Sequence, residues 1–143
     1  MNKFLIYLVL WFLPAVCLAQ ESKPFEGYLY NEEFQIYIQL NAYDKNVSVP
    51  DQEIYGELPG YFGSKRDSRL WLITDSKLIH DNSLELSVIN DYGSEDFTAK
   101  LTYNEDGTYT YKHIEGSTYK IVVKSKYVKI PKSIEFKKVE KKP

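Results

Sequence analysis

The sequence predicts an all-β fold: a single antiparallel meander closing into a small up-and-down barrel of the lipocalin/avidin-like kind, with a β-sandwich as the alternative. Three observations carry that expectation. Apolar and polar residues alternate with period two along the chain, which puts every second side chain on one face of a strand. β-Branched and aromatic residues are abundant, 13 tyrosines among them, and they suit a pleated, half-buried surface. No window beyond Ala19 carries a 3.6-residue apolar stripe. Short strands joined by short turns leave unpaired edges, and closing the sheet on itself removes them.

The chain opens on an export leader, residues 1–19. Lys3 supplies the positive start, Phe4–Leu13 is unbroken apolar sequence, and Pro14 interrupts it ahead of a cleavage point near Ala19. That run is too short for a bilayer, which takes about 20 helical residues, and no second run follows, so no transmembrane segment is expected. The expected location is secreted or periplasmic. Lipid attachment at Cys17 is the competing reading, but Val16 fits poorly immediately before a lipidated cysteine. Cys17 is also the only cysteine, so cleavage at Ala19 leaves no disulfide and the core alone must hold the fold. Residues 20–138 are then one barrel domain and 139–143 a lysine-rich tail.

Strands are expected near 25–30, 34–41, 52–58, 68–74, 77–80, 83–89, 96–103, 108–114, 118–125 and 133–138. Phe34, Ile36, Ile38 and Leu40 share one face against Gln35, Tyr37 and Gln39. Leu84-x-Leu86-x-Val88, Phe97-x-Ala99-x-Leu101 and Tyr119-x-Ile121-x-Val123 repeat the pattern. Turn clusters separate them: Asn31–Glu33, Tyr43–Asn46, Asn90–Gly93 and Asn104–Gly107, the last with glycine where a hairpin loop needs a left-handed residue. Ile36, Ile38, Leu70, Leu86, Val88 and Ile121 are the expected interior. If they fill it there is no room for a ligand, because a barrel of about eight strands holds side chains or one small molecule.

The succession "FEGYLYNEEFQIYIQL", "IYGELPGYF", "RLWLI", "SLELSVI", "DFTAKL", "HIEGSTYKI" and "IPKSIEFKKV" resembles an uncharacterised group of small secreted bacterial β-barrel proteins. The resemblance rests on short motifs spread over most of the chain. It departs at Glu115–Tyr119, where that group places tryptophan and this chain has Tyr119. It implies the barrel, and it carries no catalytic or ligand residue.

Chemistry-bearing constellations are sparse. "GELPGYFGSK", residues 56–65, has the letters of a phosphate loop in the wrong order. Gly63-Ser64-Lys65 reverses the closing pair, Gly56 lies too far upstream, and no helix follows. Pro59-Gly60 is instead expected to bend or interrupt a strand, and Gly63-Ser64 to begin a turn. Beyond the leader there are two histidines, His80 and His113, neither in a zinc-ligand spacing. Asp91–Asp96 lacks the ligand alternation of a calcium loop. Carboxylates such as Glu53, Glu57, Asp75 and Glu85 could converge as a hydrolytic pair only by folding, so the expectation is no enzyme and no cofactor.

Charge is polarised. Residues 20–111 hold 7 basic and 17 acidic side chains, while residues 112–143 hold 10 lysines and 3 glutamates. Pairing between neighbouring strands would neutralise that imbalance; otherwise a bipolar surface would steer a charged partner. The acidic total, a net charge of −2, argues against nucleic acid. Binding points to Tyr61, Lys65, Arg66, Arg69 and Trp71, because aromatics and arginine are the types enriched at protein-binding hot spots. The expected function is a non-enzymatic exported binder of a protein partner, of inhibitor or immunity type. The alternative is a carrier of a small apolar ligand inside the barrel.

Overall fold

The computed structural model describes residues 23–140; residues 1–19, where an export leader is expected, with Cys17 among them, and the residues beyond Glu140 lie outside these. Twelve strands follow one another: β1 (Glu26–Asn31), β2 (Ile36–Asn41), β3 (Val47–Ser48), β4 (Glu57–Leu58), β5 (Gly60–Ser64), β6 (Asp67–His80), β7 (Ser83–Asn90), β8 (Asp96–Tyr103), β9 (Thr108–Gly116), β10 (Lys120–Val123), β11 (Lys126–Lys129) and β12 (Ser133–Val139). Eight of them close an antiparallel barrel in the order β1-β12-β9-β8-β7-β6-β5-β2. Each barrel strand pairs with the next one along the chain, with β3–β4 and β10–β11 set aside as two-stranded excursions. This is the expected up-and-down barrel, and the sandwich is excluded by the ladder that joins the first strand to the last, β1 to β12, Tyr28 opposite Val139 through Tyr30 opposite Lys137.

Register explains which residues point inward. Leu29 pairs with Ile38, Ile38 with Phe62 and Phe62 with Trp71, so all four project to one side of the sheet. Val88 opposite Phe97 and Leu101 opposite Tyr111 continue the interior round the barrel. The centre is filled by aromatic rings. Phe62 lies 6.2 Å from Phe97, 6.0 Å from Tyr111 and 5.2 Å from Tyr119 between ring centroids, and Trp71 is 5.5 Å from both Phe97 and Tyr119. Phe25 closes one end edge-on to Tyr109, whose hydroxyl donates to the Pro24 carbonyl. Tyr119, Ile121 and Ile130 close the other.

Five of the six expected interior residues, Ile36, Ile38, Leu86, Val88 and Ile121, belong to this core. Leu70 does not. Trp71 points inward, so period two turns Leu70 and Leu72 to the outer face, where a second small core of Val49, Tyr61 and Leu72 forms with Tyr37, Val47, Leu58, Leu70 and Ile89 packed on it. The chain between β2 and β5 folds back along the barrel wall to cover these residues.

Several boundaries differ from expectation for local reasons. The strand expected at 34–41 starts at Ile36 because Gln35 takes φ +54° in a turn. The strand expected at 52–58 is a 3-10 turn, Glu53–Tyr55, followed by two-residue β4. The strands expected at 68–74 and 77–80 are one strand, β6, with a bulge between Ile73 and Asp75. The segment at 118–125 is half of a hairpin, because Lys124 (φ +52°) and Ser125 (φ +64°) turn the chain back into β11. In "GELPGYFGSK", Gly63 and Ser64 belong to β5, and the turn is Lys65-Arg66.

Candidate functional site

One end of the barrel is built from four connections: Glu32–Gln35, Lys65-Arg66, Asp91–Glu95 and the segment 117–132 that carries β10–β11. Short polar side chains fix each of them. Asn31 Oδ1 accepts from Phe34 N–H at 2.8 Å, and its amide donates to the Glu135 carbonyl at 2.7 Å. Asn90 Oδ1 accepts from Ser94 N–H (2.9 Å) and Glu95 N–H (3.2 Å), while Gly93 supplies a left-handed turn residue at φ +72°. These are side chains replacing the backbone partners that a loop lacks.

The β10–β11 hairpin is held over this end from both faces. Ile121 and, less completely, Val123 and Val128 pack on the barrel core. On the rim, Asp67 accepts from Arg69 N–H at 3.1 Å and from Val122 N–H at 2.8 Å, so one carboxylate links β6 to β10. Lys120 pairs with Glu95 at 2.5 Å, both half-buried. Between hairpin and rim is a cleft of about 160 Å³ lined by Asp67, Arg69, Trp71, Asp91, Tyr92, Glu95, Lys120 and Tyr127 among others. Asp67, Glu95 and Lys120 are committed to the wall. The Arg69 guanidinium and Asp91 carboxylate have no ion-pair partner among the described residues. Tyr92 is 81% exposed and Tyr127 67% exposed beside them. Asp91 also lines a shallow cleft of about 350 Å³ on the outer side with Pro50, Asp51 and Gln52, two residues before Ile54, which is 91% exposed.

The five residues singled out from sequence fall in three places. Arg69 and Trp71 line the mouth cleft together, although Trp71 is largely interior. Tyr61 lies on the opposite side of the sheet, buried at 4% exposure under the β3–β4 excursion. Lys65 sits over the Tyr30 ring, 4.4 Å from its centroid, and Arg66 is at the turn tip with its N–H donating to Ser64 Oγ at 3.0 Å. The chain neighbours 61–71 therefore do not form one surface. Asp91, Tyr92 and Tyr127 were not singled out. The Asn90–Gly93 turn cluster pointed to an exposed Tyr92, whereas Tyr127 had no signal because the hairpin itself was hidden.

The remaining chemistry is modest. His113 Nε2–H donates to the Ser117 carbonyl at 2.9 Å and its ring stacks on Phe97; His80 is exposed at the opposite end. Among the described residues, no three His, Cys, Asp or Glu side chains converge on a common point, and no helix is long and apolar enough to cross a membrane. Direct ion pairing does not neutralise the polarised charge: the described residues hold two ion pairs, Lys45–Asp75 and Lys120–Glu95. The fold and this end together define a class, a closed eight-stranded barrel with a packed centre and a loop-built mouth. No family model matches the chain, and no curated protein or solved structure matches it.

Proposed function

We propose that this is an exported, non-enzymatic binding protein that captures a protein partner at the loop-built end, in an inhibitor or immunity-type role. The observation that carries the reading is the rim itself: exposed Tyr92 and Tyr127 stand beside Arg69 and Asp91, which have no ion-pair partner among the described residues, on a turn, a hairpin and a strand end of a closed barrel. Tyrosine and arginine dominate binding hot spots, and a pinned rim loses little conformational freedom on association. An apolar ligand inside the barrel, the other sequence reading, would have to displace packed Phe62, Phe97 and Tyr111. Nothing in the interior favours it.

The test is capture from the native envelope fraction on immobilised protein, followed by affinity measurement with whatever is retained. Tyr92→Ala and Arg69→Glu should each weaken that affinity about 30-fold or more, the range of a hot-spot residue. Lys65→Glu, at a lysine already engaged with Tyr30, should change it less than about threefold. Equal affinity for wild type, Tyr92→Ala and Arg69→Glu would remove the rim as the binding surface.

A further inference from the structure

We infer that the exposed lysines of the β10–β11 hairpin form a docking surface for anionic lipid headgroups, one that adjoins the capture rim at Tyr127 but does not depend on that reading. From Ser117 to Ile134 the chain has five lysines, Lys120, Lys124, Lys126, Lys129 and Lys132, and no acidic residue. Lys120 alone of these has an ion-pair partner among the described residues; Lys124, Lys126, Lys129 and Lys132 are exposed. Tyr127 stands exposed on the face of β11 that carries Lys129, with Lys126 turned to the other face, and its amphipathic ring is of the kind that settles at a membrane–water interface.

The hairpin keeps this charge against local cost. Its two turn residues, Lys124 and Ser125, both take positive φ, where glycine or asparagine would be the easy choice. Lys120 lies directly opposite Lys129, a like-charge pair that weakens a two-stranded ladder. Neither feature serves the turn or the ladder, and through Lys124 and Lys129 each leaves an exposed positive charge on the same projecting element.

A lipid surface fits this element better than an acidic protein. Lys124, Lys126, Lys129 and Lys132 line none of the clefts described for the barrel mouth, so they offer no pocket to read a partner's side chain. A shaped protein partner needs anchor pockets. A plane of anionic headgroups needs only several cations within a screening length of it, together with an aromatic at the interface.

Vesicle sedimentation of the purified protein tests this with phosphatidylglycerol/phosphatidylcholine vesicles against pure phosphatidylcholine. Binding to the anionic vesicles alone is expected, weakening as salt rises from about 0.05 to 0.5 M. Lys124→Gln/Lys126→Gln/Lys129→Gln should lower partitioning on the order of a hundredfold, and the Glu triple should lower it further. Lys77→Glu, on β6 toward the opposite end, should change nothing. All three altered lysines are exposed, and an unchanged melting curve confirms that the fold survives. Failure to bind anionic vesicles at low salt would overturn the inference. So would equal binding by the Glu triple, or polyglutamate displacing the protein completely at charge parity, which would make the surface a general polyanion site. None of these outcomes touches the Tyr92 and Arg69 affinities, so failure here and failure of the capture reading are separable.

Discussion

At Gly60 the backbone of β2 occupies the space a side chain would need. A Cβ added there would sit 2.1 Å from the Gln39 carbonyl oxygen, which only a shift of the ladder itself can relieve. At Gly63 the obstacle is softer, the far end of the Tyr37 ring at 2.4 Å, which lies across β5 while stacking on Tyr28 at 5.1 Å. Gly60→Ala should therefore destabilise the protein by about 3 kcal/mol and Gly63→Ala by about 1 kcal/mol, the two ends of the overpacking range. Urea unfolding of both variants checks the order, and equal losses would mean that Tyr37 cannot yield. Gly60 and Gly63 of "GELPGYFGSK" are thus explained by close approach, whereas Gly56 has open space around it and takes a left-handed φ of +67°. Sequence alone showed that they could not hold a phosphate. It could not show what crowds Gly60 and Gly63, because Gln39 and Tyr37 belong to a strand some twenty residues earlier.

Among the elements, the β10–β11 hairpin is held to the barrel by Ile121 in the core, by the Lys120–Glu95 pair and by Asp67, the side chain that ties its backbone to the rim. Asp67→Ala removes the acceptor of both Val122 and Arg69 N–H, and hydrogen bonds to a charged group are worth about 1.5–3 kcal/mol each. The barrel ladders are untouched, so the expected outcome is local opening: faster amide exchange across 120–129 with protection retained in β6–β9. Uniform loss of protection throughout would show that the hairpin and barrel unfold as one unit. The hairpin is also where sequence reading stopped short. β7 and β8 were readable to within a residue because strict alternation and flanking Asn/Gly turns agree there. Lys124-Ser125 carries no turn signature, so the return strand β11 was invisible, and with it Tyr127's place on the rim. The β3–β4 excursion was misread for the converse reason. Apolar Ile54 and Tyr55 look like strand residues, yet they lie on an exposed 3-10 turn, while Val49 and Leu58 make the contacts.

At the scale of the whole molecule, closure and aromatic filling make the barrel sensitive to alkali. Six tyrosines, Tyr28, Tyr37, Tyr61, Tyr109, Tyr111 and Tyr119, have their hydroxyl pKa raised, in every case first by burial. Tyr28 is pushed up to about 12, with neighbouring Tyr37, Tyr30 and Tyr61 adding to burial. The Tyr111 hydroxyl is buried without a hydrogen-bond partner among the described residues, so its anion would be stranded beside Phe62 and Phe97. In the unfolded chain these groups ionise near their ordinary value of about 10. Below that pH both states keep the proton and stability does not depend on it. Above it the folded state holds more protons than the unfolded state, so stability falls as pH rises towards the folded values. Each proton released on unfolding adds about 1.36 kcal/mol per pH unit to that fall. The melting temperature should be nearly level up to about pH 10 and then drop steeply between about pH 10 and 12, with a slope of more than one proton. Tyrosinate absorbance should rise together with loss of the β-sheet circular dichroism signal, because the interior hydroxyls ionise only when the barrel opens. If all the tyrosines titrated smoothly near pH 10 with the sheet signal intact, the centre would be open to water and the packed interior disproved.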